Sequence, residues 1–250
     1  RSMASVQGAL VIYPIHEHGT ERQRERWLPG LATGETVGCF ALTEPAHGSN
    51  PAGMETRAER DGDGYRLHGA KTWVTNAPIA DLVLVWARTD DGDGPVRGFV
   101  VETDSDGLTT SEIDGKLSMR ASVTGELGLN GVFVPEENAL TVEGMKGPLS
   151  CLTQARTGIA WGAVGAARDC YETALAYAQD REQFGGPIAR FQLQQQKLAE
   201  MATQITLGQL MAHRLTELKE AGELRPAQVS MAKRNNVRMA RDQARVAREM

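Results

Sequence analysis

Three short segments carry residue types suited to ligand chemistry. The first is Phe40-Ala-Leu-Thr-Glu-Pro-Ala-His-Gly-Ser-Asn50. It reads as a strand running into a loop rich in hydroxyls, glycine and backbone donors. Converging N–H groups in such a loop can cradle a phosphate or the edge of a heteroaromatic ring; the plain alternative is a polar turn between strands. The second is Lys71-Thr-Trp-Val-Thr-Asn76. A Trp beside a Thr on one strand can stack a planar ligand and offer it a hydroxyl, or the Trp can simply fill a core. The third is Asp180-Arg-Glu-Gln-Phe-Gly-Gly-Pro-Ile188. Arg181 suits a diphosphate, being always charged and bidentate; a helix C-terminus favours a cation there in any case.

Other chemistries find no support. The chain has no GxGxxG after a strand, no GxxxxGK[ST], no HExxH and no GxSxG. His16 and His18 are two apart, a spacing that keeps them off one helix face. Cys39, Cys151 and Cys170 form no close pair, so they read as buried thiols of a reducing compartment. No apolar run approaches the ~18–20 residues of a membrane span. The net charge of −5 argues against general nucleic-acid binding. Residues 1–150 are net −9 and residues 151–250 net +4, which points to two differently built parts.

The elements that must position these segments follow from periodicity. Residues 2–14 suit a tightly packed helix ended by Pro14, and Thr20 caps a charged helix over 20–33 stopped near Pro29. From Gly38 the pattern becomes β: runs at 39–43, 65–68, 71–75, 81–88, 96–102 and 125–134, with Asp-Gly turns at 61–64 and 91–94. Strands without intervening helices indicate a sandwich or barrel-like domain, closed by Pro135. From about Gly147 the period is helical. Long helices are expected to about Gln179, over 189–221 and from Pro226. Leu193, Leu198, Met201, Ile205, Leu207, Leu210 and Met211 make a broad apolar stripe, and Gly222 a C-cap. The expected domains are 1–37 helical, 38–145 β and 146–250 a helical bundle. Arg1 in place of a start Met, and Met250 inside a helical pattern, read as the ends of an internal piece.

Leu-Thr-Glu-Pro-x-x-Gly-Ser, Thr-Trp-Val-Thr-Asn and Asp-Arg-x-Gln-Phe-Gly occur here in one order and spacing. Over its entire length the sequence resembles the acyl-CoA dehydrogenase family. Arg1-Ser2, Ser5-Val-Gln, Met54-Glu-Thr-Arg-Ala, Arg156-x-Gly-Ile-Ala-Trp-Gly and Lys233-Arg-Asn-Asn resemble the glutaryl-CoA branch most. The resemblance implies an α+β fold: the end of an N-terminal helical domain, a middle β domain and a truncated C-terminal helical bundle. It also implies FAD as cofactor, a homotetramer, and electron-transfer flavoprotein as electron acceptor.

By the same resemblance Phe40, Leu42, Thr43, Gly48 and Ser49 line the flavin and substrate site, Ser49 toward CoA. Trp73, Val74 and Thr75 flank the isoalloxazine. Arg181 and Gln192 contact the FAD of an adjoining subunit, with Phe184 beside them. Leu149, Ser150, Cys151, Leu152, Thr153, Gln154, Ala155 and Arg156 line the acyl-CoA channel. Arg1 and Ser2 pair with the substrate's terminal carboxylate, which needs a partner where water is excluded. Asn50 departs from the family's usual Asp. The implied reaction is α,β-dehydrogenation of glutaryl-CoA, with decarboxylation to crotonyl-CoA and carbon dioxide. No residue here is assigned as catalytic base: most of the family carries a Glu beyond the position of Met250, and the isovaleryl branch places it where this chain has Ala155. Other short-chain acyl-CoA dehydrogenases, an oxidase, a non-decarboxylating glutaryl enzyme and a silent flavin-binding assembly module share this fold expectation. Bacterial cytoplasm and mitochondrial matrix both suit the cysteines.

Overall fold

A computed structural model describes residues 2–250, the side chain of Asp91 excepted. The chain divides into two compact units, Arg1–Ala155 and Arg156–Met250.

In the first unit α1 (Ser2–Val6), a π-helical turn (Gln7–Ile12) and α2 (Tyr13–His18) form one helical run. Pro14 therefore does not end this helix. The Tyr13 N–H donates to the Gly8 carbonyl, five residues back. Pro14 then falls in the first turn of α2, where its missing N–H costs nothing. Helix α3 (Glu21–Thr33) opens as expected: Thr20 and Gln23 make a reciprocal capping box. It runs through Pro29 and stops at left-handed Gly34. Trp27 and Leu31 are buried on either side of that proline, so core packing overrides its local cost.

Eight strands build one mixed sheet: β1 (Gly38–Ala41), β2 (Arg57–Asp61), β3 (Gly64–Thr75), β4 (Leu82–Arg88), β5 (Val96–Glu102), β6 (Leu108–Glu112), β7 (Thr124–Pro135) and β8 (Ala139–Glu143). The order is β6-β7-β3-β2-β4-β5-β8, with β1 parallel to β4. The runs read as separate strands at 65–68 and 71–75 are one strand, β3. Pro135 does not close the region, since β8 follows it. Strand β4 is buried on both faces, as its unbroken apolar run requires. Val83, Val85 and Ala87 join Phe99, Leu67 and Val134 in one core; Leu82, Leu84 and Trp86 meet Val11, Ile15, Trp27 and Leu31 in the other.

Gln7 fastens the helical run to this sheet. Its amide donates to the carbonyls of Leu31 at 2.9 Å and Thr36 at 2.7 Å, and its Oε1 accepts from the Gly38 N–H at 2.8 Å. Gln7→Ala leaves these backbone groups without that partner. The expected loss is about 3 kcal/mol, read as a lower denaturant midpoint at unchanged slope. A loss below about 0.5 kcal/mol would show that the groups re-pair with water.

The second unit holds most of α4 (Lys146–Asp180), α5 (Gln192–Glu220) and α6 (Pro226–Arg248). Gly222 is left-handed just past α5, as its C-cap reading requires. Val164, Ala167, Ile205 and Met239 form one core cluster, and Ala160, Leu215, Val229 and Ala232 another. Asn236, fully buried on α6, donates to the carbonyls of Ala160 at 3.1 Å and Gly208 at 2.9 Å, so one amide joins all three helices. The expected apolar stripe is narrower than read. Leu198, Met201 and Ile205 are buried, whereas Leu193, Leu207 and Leu210 are exposed. Among the described residues, no helix is long and apolar enough to cross a membrane.

Candidate functional site

Strand β1 ends at Ala41, and the chain turns at once into the polar loop. Glu44 and His47 exchange backbone hydrogen bonds, at 3.2 and 3.1 Å, closing a tight turn over Pro45 and Ala46. The loop is fixed from below by groups that the sequence reading did not assign. Lys71 Nζ donates to the Leu42 carbonyl at 3.1 Å and to Glu44 Oε1 at 2.9 Å. The Glu44 carboxylate also accepts the N–H groups of Glu55 at 2.6 Å and Thr56 at 3.0 Å. The side chains of this ion pair are 0% and 4% exposed.

Such burial shifts both groups. Burial pushes the Lys71 ammonium down to about 8, against the upward pull of the Glu44 charge and hydrogen bond. Burial alone would raise Glu44; the Lys71 charge and the hydrogen bonds from residues 55, 56 and 71 outweigh it, so the carboxyl lies below its ordinary value.

Trp73 is 60% exposed, which removes the core reading. Its placement comes from a bulge. Lys71 pairs with Leu127 and Val74 with Gly125, so Thr72 and Trp73 together oppose Glu126. Trp73 adopts φ +57°, a conformation rare for a bulky side chain. Thr72 turns inward and donates to Glu126 Oε1 at 2.9 Å, while Val74 is buried. The Thr72 N–H donates to the Thr43 carbonyl at 2.9 Å, which brings the first two candidate segments together. Asn76 closes the end of β3: its side chain donates to the Gly38 carbonyl at 3.2 Å. Phe40 is half-buried, edge-on to Trp86 at 6.2 Å. Gly48 and Ser49 lie in the loop beyond the Glu44–His47 turn.

The helix start over 149–156 is less uniform than expected. Leu149 is exposed and Leu152 partly buried. Ser150 Oγ donates to the Gly147 carbonyl at 2.7 Å and lies 3.0 Å from His18 Nε2, so its hydroxyl is already engaged. Thr153 Oγ1 returns to the Leu149 carbonyl at 3.0 Å. Cys151 is fully buried and belongs to the core cluster that holds Leu140 and Trp86. Gln154, Ala155 and Arg156 are half-buried, as is Ser2 at the start of α1. Arg1 lies outside the described residues.

In the second unit, Arg181 stands just past α4, exposed, with no side-chain hydrogen bond or ion pair to the described residues. The following segment folds back on itself. Ile188 N–H donates to the Arg181 carbonyl at 2.8 Å, and Gln183 N–H to Gly186 at 2.9 Å. Phe184 is 87% exposed at φ +52°. Arg190 braces this turn through the carbonyls of Phe184 and Gly185. Gln192, exposed, is the first residue of α5. Arg190, Lys71 and Glu44 escaped the sequence reading as bracing groups because their partners are fixed only by the folded chain.

The first unit's mixed sheet with its polar loop and the second unit's three helices make an α+β architecture. The chain belongs to the acyl-CoA dehydrogenase family: residues 1–35 match the acyl-CoA dehydrogenase N-terminal domain, 39–132 the middle domain and 143–250 the C-terminal domain. It is 37% identical over 227 residues to the glutaryl-CoA dehydrogenase of Desulfococcus multivorans, covering 88% of this chain and 58% of that protein. A 2-methylacyl-CoA dehydrogenase of Solanum tuberosum is also 37% identical, over 90% of this chain and 56% of its own length. The chain thus spans a little over half of these curated relatives. Among solved structures, glutaryl-CoA dehydrogenase from Mycobacterium smegmatis superposes with TM-score 0.94 at 55% identity, over 99% of this chain and 64% of that one.

Proposed function

We propose that the chain is the larger part of an FAD-dependent acyl-CoA dehydrogenase acting on glutaryl-CoA. The observation that carries this is the pairing of an outward Trp73 with the Leu42–Ser49 loop through the Thr72–Thr43 hydrogen bond. These residues fit a flavin. An exposed indole held out of its ladder offers a flat apolar face. The Thr43, Ser49 and Thr75 hydroxyls have no partner among the described residues. A glutaryl-CoA dehydrogenase from Mycobacterium smegmatis, solved with FADH2, is 51% identical with TM-score 0.95.

In this reading Leu42 and Thr43 hold the pyrimidine side of the ring, and Trp73, Val74 and Thr75 flank its reactive part. Phe40 and Gly48 shape the loop around it, and Ser49 holds the CoA portion. The Arg181 guanidinium pairs with the diphosphate of a neighbouring subunit's FAD, with Gln192 and Phe184 beside it. Leu149, Leu152, Thr153, Gln154, Ala155 and Arg156 border the acyl chain. Bound flavin supplies the hydride acceptor; the protein supplies geometry and a dry site. Decarboxylation to crotonyl-CoA, transfer of electrons to electron-transfer flavoprotein and a homotetrameric assembly belong to the same proposal.

Arg1 and Ser2 are assigned to the distal carboxylate of the substrate. In the complete protein, Arg1→Ala is expected to lower kcat/KM for glutaryl-CoA by about a hundredfold and for butyryl-CoA by less than about threefold, the difference being one charge-assisted pair. Equal losses for the two substrates would refute the role. The function itself is tested by anaerobic titration of the complete gene product with glutaryl-CoA, following the oxidised-flavin band and the acyl product. Bleaching with crotonyl-CoA supports the full reading. Bleaching with glutaconyl-CoA removes decarboxylation, and a band that stays oxidised removes the substrate.

A further inference from the structure

The buried Lys71–Glu44 pair has no place in the chemistry above. It sits directly beneath the flavin-facing loop, and every group it holds belongs to that loop or to its neighbours. The Lys71 ammonium bridges the Leu42 carbonyl and the Glu44 carboxylate. The carboxylate in turn holds the N–H groups of Glu55 and Thr56 at the entry to β2. One residue beyond Lys71, the Thr72 N–H holds the Thr43 carbonyl; one beyond that, Trp73 swings outward. Four points of the chain are thereby locked around a single ion pair: residues 42–44, 55–56, 71 and, by covalent continuity, 72–73.

Stability alone is a poor reason to bury such a pair. A well-packed apolar pair of similar volume commonly does as well or better, because taking two charges out of water is costly. An ion pair does fix geometry that apolar contacts leave loose. The ammonium can satisfy a carbonyl and a carboxylate at once only where both lie within about 3 Å of one point.

We propose that Lys71 is the positioning residue of the flavin site, holding the Leu42–Glu44 backbone in its ligand-ready shape before any ligand arrives. The proposal rests on the flavin reading above. Lys71, being fully buried, touches no ligand itself; it acts through Leu42, Thr43 and Trp73.

The test uses the complete gene product and FAD itself. The double variant K71M/E44Q removes both charges together, so no unpaired charge is left buried, and the amide oxygen introduced at position 44 retains an acceptor for one of the two N–H groups, at Glu55 and Thr56, that separate Glu44 oxygens hold in the parent. Its melting temperature is expected to lie within a few degrees of the parent's. FAD affinity of the stripped protein, followed by flavin fluorescence, is expected to fall by about tenfold to a hundredfold, the scale of a small misplacement of binding groups. The visible circular dichroism of the bound flavin, which reports its local surroundings, is expected to change. A folded double variant with parental affinity and parental flavin dichroism would overturn the proposal, since a merely structural role moves melting alone. Hydrogen exchange on the parent decides the matter if the variant does not fold. The Thr72 amide is expected to be protected in the FAD-free protein; free exchange there would equally overturn the proposal. A parent protein that binds no FAD refutes the flavin reading instead, whatever the Thr72 amide does.

Discussion

Lys71→Met alone is expected to destabilise the first unit by about 3–5 kcal/mol, because it strands the Glu44 carboxylate in the core. The carboxylate keeps its two backbone donors but loses the countercharge placed on it at 2.9 Å. Equilibrium denaturation at pH 7 measures the loss, and adding Glu44→Gln should restore most of it. If Lys71→Met cost under about 1 kcal/mol, the pair would be behaving as a solvated surface bridge. The pH signature follows from both shifts. The Glu44 carboxyl lies below its ordinary value in the fold, so the unfolded chain binds more protons in the acidic range, and stability falls as pH drops through that range. The Lys71 ammonium is lowered from 10.5 to about 8. Between those values the unfolded chain again holds more protons, so this group's contribution to stability rises with pH across that window. Both slopes should flatten in K71M/E44Q.

Gly69→Ala is expected to rival that loss, at about 2–5 kcal/mol, by backbone strain and overpacking together. Gly69 adopts φ +144°, a conformation that L side chains rarely adopt. A methyl group built there would lie 2.6 Å from Thr56 Oγ1 and 2.9 Å from Thr56 Cα, so backbone must move. The displaced residue is the one whose N–H Glu44 holds, so the disturbance runs straight into the loop. Thermal melting of the variant measures the effect, and a shift of under about 2 °C would mean that β2 yields freely.

Much of this was legible in the sequence for local reasons. The capping box at Thr20, the Asp-Gly turns and the apolar run of β4 are each specified within a few neighbouring residues. So are the loop from Phe40 and the Arg181 segment, whose hydroxyls, glycines and charge declare themselves. The short polar strands β2, β6 and β8 were not legible. Arg57-Ala-Glu-Arg-Asp has no strong β preference and is strand because β3 offers it a partner. Trp73 was ambiguous for a sharper reason. Strict alternation puts Lys71 and Trp73 on one face, yet one is buried and the other exposed. The bulge that separates them depends on the register with β7, which no window of β3 contains. The Lys71–Glu44 pair was hidden likewise, its partners lying on separate elements.

The parallel pairing of β1 with β4 bears on how quickly the site comes into being. Gly38 lies beside Leu82, and Ala41 beside Val85. A four-residue strand therefore finds its neighbour across about forty intervening residues. The β2–β3 hairpin needs only a two-residue turn and can zip within microseconds. Strand β1 must wait for β4, and closing so long a loop carries an entropic cost that no local contact offsets. The segment that leaves β1 is the Leu42–Ser49 loop. The part of the chain assigned to the ligand thus hangs from a pairing that no local turn nucleates.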